Sequence, residues 1–157
     1  MWVLTIGILM IVVTVAIHAI GSAYWLEYLA DRIKHRAHSH QSLHISRGIL
    51  YTAVVLLMLH VVEVLLWASV YISLPGHAGL NNYAQAVYFS MVTLTTLGYG
   101  DITLSVRWQL LAGMEAMVGI MVFGLTTAIL FAVIQRSWKF KHLADKRGNH
   151  GIDSTKS

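Results

Sequence analysis

The segment from Thr95 to Asp101 reads Thr-Thr-Leu-Gly-Tyr-Gly-Asp and carries the residue types of this chain best suited to ion coordination. Glycine accepts positive φ angles, so two alternating glycines allow successive peptide carbonyls to point the same way. A row of carbonyl oxygens aimed at a common axis can replace the hydration shell of a cation. One segment supplies only one column of oxygens, so several copies of the chain would be needed to surround an ion.

His60 and Glu63 fall inside the second long apolar run, and Glu115 falls inside the third. Charged groups in such runs are costly and are usually paired or functional. His60 and Glu63 share a helix face, so they could share a proton. We predict a proton-linked network of His60, Glu63 and Glu115 at similar depth, with one carboxyl bonded to Ser90 or Thr93. The alternative is a polar contact that only fastens two helices. His18 stands alone in the first apolar run and is assigned no function.

A histidine-rich tract forms a second candidate site, of a different chemistry. His35, His38, His40 and His44 lie within ten residues of one another and could hold a transition metal, since such tracts bind metals. Nearby arginine and lysine side chains oppose cation binding. The favoured interpretation is therefore a solvated basic loop that rests on anionic lipid headgroups.

The composition indicates a membrane protein. Of the 157 residues, 57% are hydrophobic and only 11% are charged, against about 25% charged in a typical soluble domain. The absence of cysteine excludes disulfides, thiolate catalysis and Cys-ligated metal centres. The net charge of +4 does not indicate nucleic-acid binding, because the basic residues lie at the ends of apolar runs. We expect no nucleic-acid partner.

Three apolar runs reach the roughly 20 residues that a helix needs to cross a bilayer. Residues 83–95 are apolar but too short to span, which is typical of a re-entrant helix. The predicted fold is an all-α membrane protein with three transmembrane helices and a re-entrant pore helix and filter loop between the second and third. Five tryptophans near the ends of the spans predict interfacial anchoring. The predicted divisions are a first transmembrane helix (1–30), a basic His-rich cytoplasmic loop (31–47), a pore domain (48–135: outer helix 48–73, pore helix 83–95, filter 96–101, inner helix 106–135) and a cytoplasmic tail (136–157).

The distribution of positive charge predicts the orientation. Ten of the eleven Lys and Arg residues lie in the 31–47 loop or after the third span, and only Arg107 lies between the second and third. Basic loops stay in the cytoplasm. We therefore expect a multi-pass protein of the cell membrane with its N-terminus outside and its C-terminus in the cytoplasm.

The segment Thr96-Leu97-Gly98-Tyr99-Gly100 resembles the selectivity filter of the potassium channel family. The similarity extends from about residue 83 to residue 136 and includes a pore-helix-like stretch and a glycine-bearing inner helix. Leu97 stands where the family usually has Val or Ile, and Val92 stands where a carboxylate is frequent. The family's frequent tryptophan pair is Tyr88-Phe89 here.

The resemblance implies a role for each matching position. The backbone carbonyls of the filter, together with the Thr96 hydroxyl, would bind potassium, and the flanking residues would support them. The implied ion-binding residues are Thr96, Leu97, Gly98 and Tyr99; the filter support is Thr95, Gly100, Asp101 and Tyr88; the gating hinge is Gly119; the cavity lining is Ile120, Phe123 and Thr127.

The resemblance implies a homotetrameric potassium channel subunit with K⁺ as the permeant ion. It is not expected to be an enzyme or to need a cofactor. Two alternatives remain open: a channel-like accessory subunit without conductance, and a membrane metalloprotein that uses the histidine cluster.

Overall fold

The computed structural model describes residues 1–35 and 41–153, and no strand occurs in that part of the chain. Three of its helices are long and apolar enough to cross a membrane, over Trp2–Arg32, Arg47–Ser73 and Val106–Arg136. The predicted all-α fold with three spanning helices is therefore confirmed. The helices are α1 (Trp2–His35), α2 (Gln41–Ser73), α3 (Tyr83–Leu94) and α4 (Gln109–Asp153), with short 3-10 turns at Pro75–Gly79 and Val106–Trp108.

The three long helices extend further than their apolar runs. Helix α1 continues to His35 and α2 begins at Gln41, so helical backbone enters the segment interpreted as a loop over 31–47. Helix α4 runs to Asp153 through most of the predicted tail. A charged residue ends an apolar run but not a helix, because Lys, Arg and Glu are good helix formers.

Helix α3 lies between α2 and α4, and α1 packs against both α4 and α2. Neighbouring contacts give the directions of the helices. Trp2 meets Trp108 and His18 meets Thr126, so α1 and α4 run in parallel. Helix α2 runs opposite to both. We call the end of the bundle that carries the start of α1 and the segment 95–105 the filter end.

Trp67 and Trp108 are buried, which corrects the interpretation of all five tryptophans as interfacial anchors. The Trp67 indole donates to Thr14 Oγ1 at 3.0 Å and so joins α2 to α1. Trp2 and Trp138 are exposed. An indole near the end of an apolar run can thus pack inward when a neighbouring helix offers it a hydrogen-bond acceptor.

Candidate functional site

The filter segment follows directly from the end of α3. Asn82 caps the start of this helix, its side chain accepting from the Gln85 amide at 2.9 Å. At the other end, the Leu97 and Gly98 amides both reach the Val92 carbonyl, at 2.9 and 3.3 Å. Helix α3 therefore holds the start of the filter on its last turn.

Positive φ angles occur at every second residue of the filter. Thr96 has φ 60°, Gly98 has φ 53° and Gly100 has φ 76°, whereas Leu97 and Tyr99 between them do not adopt positive values. Such values are ordinary for glycine but uncommon for threonine. The sign of φ therefore alternates from residue to residue along the segment. This alternation is the geometry that turns successive carbonyls to one side. Leu97 and Tyr99 are exposed in the single chain, at 53% and 68%.

Tyr88 and Asp101, both predicted as filter support, contact each other. The Tyr88 hydroxyl donates to Asp101 Oδ2 at 2.8 Å and so joins α3 to the end of the filter segment. This hydrogen bond raises the pKa of Tyr88 above its usual value, so the phenol keeps its proton, and the contact, throughout the neutral range. Thr95, the third support residue, caps α3 by donating to the Met91 carbonyl at 2.7 Å.

A buried carboxyl lies behind α3 and joins it to both long helices of the pore module. Glu115 of α4 accepts from the Tyr71 hydroxyl of α2 and contacts the Ser90 hydroxyl of α3, each at 2.5 Å. Ser90 Oγ also lies 3.1 Å from the Val64 carbonyl. The predicted bond between one carboxyl and Ser90 is therefore confirmed, with Glu115 as its partner.

The inner helix α4 passes closest to α3 at Gly119. A Cβ atom on this residue would lie 2.0 Å from the carbonyl oxygen of Leu94, the last residue of α3. Glycine at this position is therefore required by close packing, and α4 runs through it without interruption. Ile120, Phe123 and Thr127, predicted to line the cavity, are all exposed in the single chain and follow one another along one face of α4.

A second buried polar cluster joins the three long helices. Glu63 accepts from His18 and His60 through different carboxylate oxygens, at 2.9 and 3.0 Å. The Thr126 hydroxyl lies within hydrogen-bond distance of the other nitrogen of both imidazoles, at 3.1 Å from His18 and 3.0 Å from His60. Residues from α1, α2 and α4 thus close a ring of four contacts.

The prediction of one network containing His60, Glu63 and Glu115 is corrected by this arrangement. His60 and Glu63 are bonded, but among the described residues Glu115 belongs to the separate cluster with Tyr71 and Ser90. Side chains lean toward the N-terminus of their own helix. The two carboxyls therefore diverge, because α2 and α4 are antiparallel. Sequence reasoning assigned no role to His18 and did not identify Thr126.

The proposed metal site at His35, His38, His40 and His44 lies outside the residues whose side chains the structure describes. Its metal-binding prediction is left open.

Comparison with known proteins agrees with this geometry. Residues 59–136 match a family model described as "Ion channel". The match begins within α2, includes α3 and the filter, and ends in α4. No solved structure matches the chain. Residues 59–136 therefore belong to the ion channel family, as their resemblance to the potassium channel pore domain predicted.

Proposed function

We propose that the chain is a subunit of a potassium-selective channel that conducts K⁺ through a homotetrameric, carbonyl-lined filter. The observation that carries this proposal is the positive φ at Thr96, Gly98 and Gly100. Carbonyls that face one side can replace the water around a dehydrated cation. The ion would be bound by the backbone oxygens of residues 96–99, with the Thr96 hydroxyl at the inner end.

The tetramer is inferred from what one chain leaves incomplete. A single filter segment supplies one column of oxygens, so four chains around an axis are needed to enclose an ion. One face of α4 carries exposed apolar side chains, among them Met117 at 69%, Ile120 at 65% and Met121 at 60%. Assembly around the filter axis would cover part of this face and leave the rest to line a cavity.

The orientation and the membrane also belong to the proposal. The filter end would face outward, and the basic ends of α1, α2 and α4 would lie in the cytoplasm, where they meet anionic lipid. The protein would then be a multi-pass component of the cell membrane. Its N-terminus would be external.

The proposal is tested by reconstituting the full chain into liposomes and measuring the reversal potential in mixed potassium and sodium. We expect a potential near that of potassium and block by barium. Gly98→Ala should abolish the flux, because alanine at φ 53° is strained and the carbonyl row would be disturbed. Gly48→Ala, a substitution in α2 whose new Cβ makes only an ordinary contact with Leu29 at 3.9 Å, is the matched control. A sodium permeability equal to that of potassium would overturn selectivity, and assembled protein without flux would support the accessory-subunit alternative.

A further inference from the structure

The closed cluster of His18, His60, Glu63 and Thr126, here called the polar ring, lies between α1, α2 and α4. His18 and Glu63 are fully buried, and His60 is 6% exposed. The ring has four contacts, all between 2.9 and 3.1 Å. It is the one place among the described residues where α1, α2 and α4 are joined by a continuous set of side-chain hydrogen bonds.

Counting protons shows that the ring is complete only when it holds one proton more than its ordinary groups supply. Each of the four contacts needs one hydrogen. Two neutral imidazoles and one hydroxyl supply three, and an ionised Glu63 supplies none. With only three hydrogens, the lone pair of one imidazole nitrogen would point at a lone pair of the Thr126 oxygen, and that contact would not be a hydrogen bond. A fourth proton, shared between Glu63 and a histidine, completes all four bonds and makes the ring electrically neutral.

A polar cluster buried at this depth is most stable when it carries no net charge. An unpaired charge in the apolar interior of a membrane bundle costs several kcal/mol, whereas a neutral, fully bonded cluster avoids that cost. The ring in its four-proton form therefore satisfies the charge and the hydrogen bonds together.

The geometry of the ring favours a proton over a metal ion. His18, His60 and Glu63 offer ligand atoms within 4.8 Å of one another. The two imidazoles, however, lie side by side, with centroids 5.0 Å apart and planes 32° apart. Their Nδ1 atoms meet different carboxylate oxygens, and their Nε2 atoms meet one hydroxyl. Nitrogen lone pairs that run side by side do not converge on one point, as tetrahedral zinc ligands must.

We propose that the polar ring is a binding site for a single proton, and that its occupancy couples α1 and α2 to the inner helix. The contact to α4 is direct at two points. Thr126 is a member of the ring, and the His60 ring stacks on Phe123 with centroids 4.3 Å apart. Phe123 and the neighbour of Thr126, Thr127, are predicted cavity residues. The effect on conduction rests on the proposed channel function; the proton site itself does not.

The other titratable and charged groups on the three helices lie away from the ring. On α1, Glu27 is nine residues beyond His18, and Asp31 and Arg32 follow it. On α2, Arg47 lies 13 residues before His60, and Tyr71 bonds to Glu115. On α4, Glu115 lies 11 residues before Thr126 and Arg136 ten residues after it. Protonation of the ring is therefore governed by its own four members.

Loss of a proton opens the ring, and gain of a proton gives it a net charge. As pH rises and the fourth proton leaves, the ring gains a negative charge and one contact between a histidine and Thr126 is lost. A fifth proton at acidic pH would make both imidazoles donors at each nitrogen, so the Thr126 hydroxyl would turn its own hydrogen out of the ring and the ring would carry a net positive charge. The junction between α4 and the other two helices is thus tightest at intermediate pH.

The substitution Glu63→Gln tests the proton count. A glutamine amide can donate to one Nδ1 and accept from the other, so the variant ring closes with four hydrogens and no added proton. It should therefore lose the alkaline transition while remaining assembled. Glu115→Gln, which changes the other buried carboxyl, is the matched control and should keep that transition.

The measurement is a titration of the ¹⁵N-histidine-labelled full chain in lipid bilayers by solid-state NMR, across the range from about pH 5 to 9 that brackets ordinary histidine. His18 and His60, assigned from the single variants His18→Asn and His60→Asn, should change together in one alkaline transition. Thr126→Val, which removes the bridging hydroxyl and with it the need for the fourth proton, should move that transition to lower pH. Independent transitions of the two histidines, or an alkaline transition that persists in Glu63→Gln, would overturn the proton site.

Potassium flux measured on the same liposomes tests the coupling. Wild-type flux should change by at least roughly tenfold across the alkaline transition, about what the loss of a single hydrogen bond can supply, and Glu63→Gln flux should stay constant there. If the potassium flux did not change with pH while the histidine spectra did, the coupling would be overturned. An absence of flux in every protein at every pH would count against the channel function instead, and the spectra would still decide the proton site.

Discussion

Glu115 shows how a buried carboxyl can be satisfied by its protonated form. It contacts Tyr71 and Ser90, and Ser90 also contacts the Val64 carbonyl, which makes three contacts for two hydroxyl hydrogens. If Glu115 carries a proton, it donates to Ser90, Ser90 donates onward to Val64, and Tyr71 donates to the second carboxyl oxygen. All three contacts are then hydrogen bonds, and no charge is buried behind the pore helix.

This proton assignment predicts unequal effects of two substitutions at Glu115. Glutamine can donate to Ser90 and accept from Tyr71, so Glu115→Gln should change the free energy of unfolding in detergent by less than about 1 kcal/mol. Leucine leaves the Tyr71 hydroxyl without an acceptor, and Glu115→Leu should lower that free energy by about 1–3 kcal/mol. Equal destabilisation by both variants would contradict the protonated form, because an ionised carboxylate is poorly replaced by an amide.

The contacts of single residues show which parts of the site could be predicted from the sequence. The contact between His60 and Glu63 follows from helical spacing, and it is present. His18 carried a usable signal: it lies 14 residues before Arg32, and His60 lies 13 residues after Arg47, so an antiparallel hairpin brings them to the same depth. What the sequence could not give is the rotation of α1 about its axis, because a helix that is apolar all round does not specify which face is buried.

At the scale of helices, the contact between α3 and α4 depends on Gly119. A Cβ on residue 119 would lie 2.0 Å from the Leu94 oxygen, whereas real Cβ contacts are longer than 3.0 Å. Any side chain must therefore push α4 away from Leu94 by about 1 Å. Leu94 ends the helix from which the filter starts. The position of the inner helix is therefore transmitted directly to the base of the filter.

Gly119→Ala should consequently disturb the filter itself. We expect the free energy of unfolding in detergent to fall by about 1–3 kcal/mol and potassium flux in liposomes to be lost. The control is Gly48→Ala in α2, where the new Cβ makes only an ordinary contact with Leu29 at 3.9 Å and the better helix propensity of alanine adds up to about 1 kcal/mol. If Gly119→Ala abolished flux while leaving stability unchanged, the predicted role of Gly119 as a gating hinge would explain the result better than close packing.

The helices differ in how well the sequence predicted their ends, for a physical reason. Helix α3 runs over Tyr83–Leu94, close to the predicted 83–95, because a capping Asn82 and the glycine-bearing filter bound it chemically. The ends of α1, α2 and α4 were placed where apolar residues stop. The length of an apolar run reflects the thickness of the bilayer core that it crosses. The end of a helix is set instead by capping residues and helix propensity.

At the scale of the whole molecule, α1 behaves as part of the same bundle as the pore module. It is joined to α2 through Trp67 and Thr14, and to both α2 and α4 through the polar ring. Its packing on α4 leaves the filter and the Ile120–Thr127 face of α4 uncovered in the single chain. The tetramer that we propose would therefore form around the filter segment without displacing α1.

The number of chains around the filter can be measured by mixing subunits. If one Gly98→Ala chain is enough to interrupt the carbonyl column, only complexes built entirely from wild-type chains conduct, and flux falls as the fourth power of the wild-type fraction. An equal mixture of the two chains, unfolded and reassembled together before reconstitution, should retain about one sixteenth of the wild-type flux for a closed four-fold ring. Mixing the two proteins after separate assembly is the control, and it should retain about half because intact tetramers are conserved. A co-assembled mixture that also retained half would mean that each chain conducts alone, which a single column of oxygens does not allow.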